Sequence, residues 1–441
     1  MSLRATAYML FVFAATAPAV STAQWPAEPR NFETLALGDG NAVGINANNQ
    51  VAIVRGYRSF VWSESTGAID LGGFDPDVPQ TRAYDIDDRG AITGRVLSRY
   101  GFYHPFIWTA ATGLVDADPD IYTESAAWAI NAGVIVGGNG PVPGVFETAF
   151  RREPTGKVTR LNPLSGSCGS AAYDVNMFAL AVGESSFPGG CDEPYRYHPF
   201  AWSETGARDL GTLGGADGRA VRINSINQVA GDSTTASGDR HAFLWSDRSG
   251  MKDLGTLGGA WSIARAVNEF GHVVGSSVDG QGNQRAFLWT PLAGMLDLGP
   301  GEAVAINEFD HVVGSSTEGG VLTAFLWTAS DGRMVLADDA RAVGVNNNAN
   351  VVGDVNVSAR AQVTIWRMAI TEADRLVYRF GLVDSHVAYG TLRHGHAQAL
   401  RAQLRAAQRA MENGRRDRAE GALERFARRL AAWALDELPW Q

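Results

Sequence analysis

The sequence predicts a mainly β chain: an eight-bladed β-propeller closed by its N-terminal strand, followed by a small α-helical hairpin or three-helix module. Three observations predict it. A pattern of the form A-x-x-[IV]-[ND], a turn, V-V-G and then A-F-L-W recurs in eight copies. The composition is rich in turn residues and poor in charge, with 51 Gly and 17 Pro in 441 residues and only 19% charged. From Thr371 the glycines and β-branched residues thin out, and Arg, Ala and Leu replace them.

Residues 1–23 read as a secretory signal peptide. Arg4 stands in a short basic start, an apolar run extends from about Ala5 to Val20, and small residues Ser21 and Ala23 precede Gln24. The alternative, a membrane anchor, asks for about 18 or more apolar residues, and this run is shorter. No second stretch of spanning length follows, so the mature chain is expected to be secreted or periplasmic without a transmembrane segment. In that oxidising setting the two cysteines, Cys168 and Cys191, are expected to pair in a disulfide.

The repeat array is assigned to 24–369 and the helical module to 370–441. The [IV]-[ND] pairs begin at Ile45, Ile86, Ile130, Val175, Ile223, Val267, Ile306 and Val345, defining repeats one to eight. Such a period is the size of one propeller blade. In the sixth copy ARAVN (264–268), GHVVGSS (271–277), RAFLWT (285–290) and GMLDLG (294–299) read as four strands. The Asn of the pair is expected to accept from backbone N–H groups in the tight turn that follows. Three residues before each Ile or Val stands an alanine, from Ala42 to Ala342, a slim residue suited to sheets crowded near an axis. The phrase DLGTLGG, at 209–215 and 253–259, reads as the end of one blade and the turn into the next. NFETLALGDG (31–40) reads as a fourth strand without its first three, and the last copy ends after its third, QVTIWRM (362–368). Pairing these ends would close a ring and remove exposed edges. An open solenoid and a two-domain split of the repeats are the alternatives.

HAFLW (241–245), DLGTLGG, INSINQVAG and VNEFGHVVGSS together resemble the extracellular HAF repeat, from about Asn31 to Met368. The full His-Ala-Phe tripeptide occurs only at 241–243, with HPF at 104–106 and 198–200. The resemblance implies an exported bacterial protein with a propeller-like repeat domain, and no reaction. In the tail, Leu400, Leu404, Ala407 and Met411 recur at helical spacing, as do Ala419, Leu423, Phe426, Leu430 and Trp433. Asn413-Gly414 reads as a helix stop, and Asp417 with Glu420 as a capping box. The stretch 392–430 resembles the FIMAH module, which implies an accessory interaction or packing role.

Charge narrows the partners. Residues 371–441 carry twelve Arg against nine Asp or Glu, net +3, which leaves −13 on residues 1–370 against the total of −10. An acidic ring does not attract nucleic acid. The tail arginines suit docking on the acidic ring, an anionic surface, or simply a solvated helix face.

Candidate chemistry is sparse. DIDDRG (85–90) and DADPD (116–120) resemble the start of a calcium loop, but Val96 and Ala127 stand where an EF-hand needs Glu, so calcium would need other loops. Asp85 and Asp174 replace a small residue in their strands; they are the candidate acid and base of a glycan hydrolase or lyase, or else bond an inter-blade backbone group. No other cofactor is indicated. The loops 95–104 and 184–198 combine Tyr, Phe and Arg, and supply the candidate ligand-binding residues Arg99, Tyr100, Phe102, Tyr103, Tyr195, Arg196 and Tyr197. The leading expectation is a monomeric, non-enzymatic binding or adhesion protein for an extracellular glycan or surface protein. A glycan-active enzyme and a structural surface component are the rivals.

Overall fold

The computed structural model describes residues 32–370 apart from 120–123, 140–147, 168, 187–195, 292 and 358–359; beyond these it describes residue 378, 394–412 and scattered positions from 415 to 429. The signal segment, both cysteines, Tyr195 and the expected capping box lie outside the described residues.

The chain is mainly β and propeller-like, built of antiparallel four-stranded sheets in sequence order. Repeats five and six are joined into one eight-stranded sheet by a single parallel pairing, Arg240 with Trp261. In repeat six the strands are Gly258–Val267, Val273–Asp279, Gln284–Thr290 and Gly294–Pro300. The first begins six residues earlier than the alternating pattern suggests, because the exit glycines of the preceding DLGTLGG are already extended against Asp279. Strand Glu33–Asp39 pairs antiparallel with Arg360–Arg367, so the start of the array supplies the outer strand of its last sheet.

Register explains the repeated letters. The alanine of the first strand, the glycine of V-V-G and the phenylalanine of A-F-L-W face one another: Ala83 opposes Gly94, and Gly94 opposes Phe106. The same trio recurs as Ala220, Gly231 and Phe243. A Cβ added at Gly231 would lie 2.7 Å from the Phe243 ring and run into the Arg219 carbonyl, so the ring lies where a side chain would be. Phe106, Phe150, Phe200, Phe243, Phe287 and Phe325 are all fully buried by this arrangement. Burial of each ring contributes about 2–3 kcal/mol.

A β-bulge follows the alanine in every innermost strand, for example between Ala83 and Asp85 and between Ala172 and Asp174. It alters the expected alternation. Ala83 opposes Gly94 whereas Asp85 opposes Thr93, the next residue, so Asp85 faces the other side of the sheet from the alanine. The alanines themselves are buried between sheets, none more than 5% exposed.

Apolar clusters join each sheet to the next. Ala52, Val61 and Leu71 of repeat one pack with Ile92, Val96 and Phe106 of repeat two. Leu37, Val352, Val363 and Ile365 of the last sheet pack with Ala42, Val51 and Ile53 of the first. A polar belt runs beside this core. Asn224 Oδ1 accepts from the N–H groups of Ile226 and Gln228, as the turn reading expects. Its Nδ2 also donates to the carbonyl of Asn268 in the next repeat, at 2.9 Å. Asn268 donates likewise to Asn307, Asn307 to Asn346, and Asn346 to Asn46 of repeat one. The last bond links residues 300 apart in sequence.

In the tail, helix His394–Glu412 buries Leu400, Leu404 and Ala407, and ends where Asn413-Gly414 predicts. Ala419, Ala422 and Phe426 are buried in the following stretch. Leu423, expected in that core, is only half-buried. Among the described residues no helix is long and apolar enough to cross a membrane.

Candidate functional site

Asp85 and Asp174 are half-buried on the inner strands and held by backbone donors. Asp85 Oδ1 accepts from its neighbour Ile86 and Oδ2 from Ile130 of the next repeat, each at 2.9 Å. Asp174 repeats the arrangement with Val175 and Ile223. Removal from solvent pushes the Asp85 carboxyl up to about 7, with the charge of Asp174 adding to the rise. Burial raises Asp174 as well, and the Arg222 guanidinium opposes the rise in both. Arg222 stands two residues after Ala220, the same repeat position the two aspartates occupy. A general acid with a raised pKa is a useful catalytic group. Here, however, every carboxylate oxygen already accepts from a backbone amide, and in each aspartate one of the two bonds ties one repeat to the next.

The calcium-like stretches are likewise engaged. Asp87 accepts from Arg89, Ala91 and Gly133 N–H groups, and Asp88 from Ala47. Asp116 pairs with His104 at 3.0 Å and Asp118 forms a two-point ion pair with Arg160. Among the described residues no group of three or more His, Cys, Asp or Glu could hold a metal ion. The His of His-Ala-Phe has a repeated partner too. His198 meets Asp209 and His241 meets Asp253, while the same aspartates accept from Gly211 and Gly255 N–H groups. DLG is thus a turn cap and an ion-pair partner at once.

The opposite ends of the sheets, where second strands turn into third strands, carry the loops singled out from sequence. Residues 98–102 form a tight hairpin end: Ser98 N–H donates to Phe102 C=O, Gly101 N–H donates to Ser98 C=O, and Gly101 takes φ 84°. Tyr100 is 66% and Phe102 44% exposed. Arg99 lies over the Tyr100 ring at 4.8 Å and donates to its hydroxyl at 2.7 Å. Tyr103 differs from its neighbours. It is half-buried under Arg95 at 4.3 Å, with its hydroxyl on Gln80, and packs the hairpin rather than projecting from it. Arg196 is exposed, and Tyr197 is half-buried with its N–H on Asp217. The two loops belong to repeats two and four, so the aromatic groups singled out there are separated by repeat three.

Between those loops lies a feature that alternation alone hides. The residue displaced by the bulge is Tyr84, Trp128 and Tyr173 in repeats two, three and four; elsewhere it is Val43, Val221, Arg265, Val304 and Val343. All three aromatics are half-buried, and Trp128 stacks on Tyr173 with ring centres 5.3 Å apart. Tyr173 hydroxyl donates to Glu184 at 2.7 Å. Arg219 Nε lies 4.0 Å from Glu184 and 3.9 Å from Asp232, and Arg240 pairs with Asp232. Burial raises both carboxyls, against the pull of these partners. The sequence signal was present as an aromatic-for-valine exchange in three successive copies.

The comparisons agree with this architecture. The FIMAH domain model matches residues 381–438. Among solved structures the chain is similar to dipeptidyl peptidase 4 of Porphyromonas gingivalis, with 10% identity and a TM-score of 0.50, over 77% of this chain and 59% of the peptidase. It thus spans about 59% of that enzyme's length. TolB from Acinetobacter baumannii matches over 78% of this chain and 80% of its own, at 11% identity and a TM-score of 0.38. At such identities the likeness concerns the fold alone. No curated protein matches.

Proposed function

We propose that the protein is an exported, non-enzymatic binding protein: an eight-bladed propeller of HAF-type repeats that holds a glycan on the hairpin face of repeats two to four. The observation that carries this reading is the run of aromatic residues at the bulge position of three successive repeats, a position held by Val or Arg in the others. Tyr84, Trp128 and Tyr173 occupy the bulge position in three adjacent repeats, and Tyr100 and Phe102 project from the hairpin end of the first of them. The corresponding turns at 235–239 and 279–283 have no aromatic residue. Flat apolar rings beside carboxylates and guanidinium groups suit a sugar, whose C–H faces stack and whose hydroxyls bond in the ring plane. The eight-bladed count is supported by the eight repeats, by the outer strand from the N-terminus, and by the Asn belt returning from Asn346 to Asn46.

The test is a glycan array followed by calorimetry on the mature chain. Trp128→Ala and the pair Tyr100→Ala with Phe102→Ala should each weaken the best ligand by about tenfold or more, the loss expected of a central aromatic contact. Unchanged affinity in both would refute the site. A second reading, a glycan hydrolase or lyase, is favoured by the raised carboxyl of Asp85 near Asp174. Product release from a bound glycan, abolished by Asp85→Asn with binding intact, would establish it in place of the first.

A further inference from the structure

Repeat two sets two like charges together beside the aromatic sector. Its strands Thr81–Ile86 and Ile92–Leu97 place Arg82 directly opposite Arg95, on one face of the sheet. The same cross-strand position holds Arg219 opposite Asp232 in repeat five and Arg341 opposite Asp354 in repeat eight. There the opposite charges meet, at 3.9 Å and 2.7 Å. Other charges on these inner strands are matched as well: Glu184 accepts from Tyr173, and Glu302 pairs with Arg265 at 3.2 Å. Among the described residues no carboxylate pairs with Arg82 or Arg95, and Arg95 Nε is enclosed without a hydrogen-bond partner.

Like charges set opposite each other destabilise a sheet, and a guanidinium nitrogen withdrawn from water without an acceptor adds to that cost. Folding gains nothing from a second arginine where repeats five and eight have aspartate. The Tyr103 ring covers one flat side of the Arg95 guanidinium at 4.3 Å, which leaves its terminal nitrogens to bond in the guanidinium plane, and Arg82 is exposed. A carboxylate or sulfate between them would accept from both groups and supply the missing charge. The neighbouring rings indicate what carries that acid. Tyr84 follows Arg82 by two residues, and in repeat three the counterpart of Arg95 is Gly138, where an added Cβ would stand 3.5 Å from the Trp128 indole. Cations in one repeat thus adjoin flat rings in the next. We propose that the ligand of the aromatic sector is an acidic glycan, with the carboxylate or sulfate of one sugar on Arg82 and Arg95 and adjacent sugar faces on Trp128 and Tyr173. This inference rests on the glycan reading above. The net charge of −13 on residues 1–370 disfavours a long polyanion, so a saccharide with a single acidic group is the match.

The experiment is calorimetric titration of the full mature chain at low and moderate salt. The probes are glucuronosyl-xylotriose and sialyllactose for carboxylate and sulfated lactose for sulfate, each against its methyl ester or unsulfated counterpart, with a tetra-aspartate peptide as the non-sugar anion. At least one acidic saccharide should bind saturably, about tenfold or more tighter than its uncharged counterpart, and less tightly as salt rises. Arg82→Gln should erase most of that preference. Arg95→Asp rebuilds the Arg–Asp pair of repeats five and eight, so it should abolish the preference without lowering the melting temperature, which excludes unfolding as the cause. Trp128→Ala should weaken acidic and uncharged probes alike. Saccharide binding that needs Trp128 but ignores the acidic group or both arginine substitutions would overturn this inference and leave the glycan reading standing. Acidic binding that needs the arginines but ignores Trp128→Ala, or no saturable binding of any saccharide, would overturn both. A tetra-aspartate peptide bound more tightly than every saccharide would assign the arginines to a protein partner and overturn the inference as well.

Discussion

At the residue scale the repeat is governed by what cannot be added. Gly231 has a negative φ that any residue adopts, yet the Arg219 carbonyl and the Phe243 ring fill the place of its Cβ. Gly231→Ala should therefore lower stability by about 1–3 kcal/mol in urea denaturation. Ala substitution at Gly238, a turn position with open space around it, should act differently: its φ of 93° strains the backbone, but no core contact is lost. Asn224 offers a second test. Its side chain caps its own turn and bridges to the next repeat, so Asn224→Asp, which keeps the acceptor and loses the donor, removes the bridge together with the Nδ2 bond to Gln228. A loss of about 1–2 kcal/mol is expected, because the Asn268 carbonyl would be left facing a carboxylate. The turn half of this role was legible in the letters N-x-x-[GN]. The bridging half was not, since local spacing carries no information about a partner some 44 residues away.

At the element scale, strand identity and order were legible and strand faces were not. The V-V-G and A-F-L-W segments form strands at the expected positions, and the aromatic strand persists as Ala149–Arg152 in the repeat that lacks the Trp. Period-two counting failed only across the bulge, where one extra residue moves Asp85 to the face opposite Ala83 and releases Tyr84 between them. A bulge has no composition signal of its own here, because Ala-x-[GAD] reads equally well as regular alternation. This is why the aromatic sector escaped a reading that found the loops. The DLG phrase was placed correctly as scaffold, although its aspartate does more than turn the chain. Asp209→Ala removes both the cap on Gly211 and the partner of His198; the exposed setting limits the cost to about 1 kcal/mol, measured by thermal melting against Asp209→Asn, which keeps the cap.

At the scale of the whole molecule, Tyr378, which follows the repeats in sequence, lies at the sheet ends opposite the hairpins. Tyr378 packs edge-on against Phe270 at 5.6 Å and against Phe309 at 5.1 Å, two residues at equivalent places in repeats six and seven. Phe178 holds that place in repeat four and is 61% exposed. Beneath the tyrosine lies Glu308, whose carboxylate accepts from the Glu269 N–H at 3.2 Å. Enclosure by protein, with Glu269 and Asp310 adding negative charge, pushes its carboxyl up to about 8. Tyr378 is pushed up to about 12 by burial and by Glu308. The contact is therefore built for a neutral Glu308. The unfolded chain loses this proton near the ordinary value of 4.5, whereas the folded protein keeps it to about pH 8. Between those limits the native state binds more protons than the unfolded one, so this group's contribution to stability is full below pH 4.5, declines as pH rises, and is gone above pH 8. Asp85 adds the same sign over the interval from 3.8 to about 7. Glu308→Gln keeps an acceptor for Glu269 and has no charge to bury, so its melting temperature should match the parent at pH 4.5 and exceed it by about 2–4 °C at pH 8. Exposure of Tyr378, followed by its absorbance on solvent perturbation, should rise with pH in the parent and stay flat in the variant. A parent stability that climbs between pH 5 and 8, or a variant with the same slope, would show that Glu308 is already charged beneath the tyrosine, and the contact would then owe its stability to the Phe270 and Phe309 rings alone.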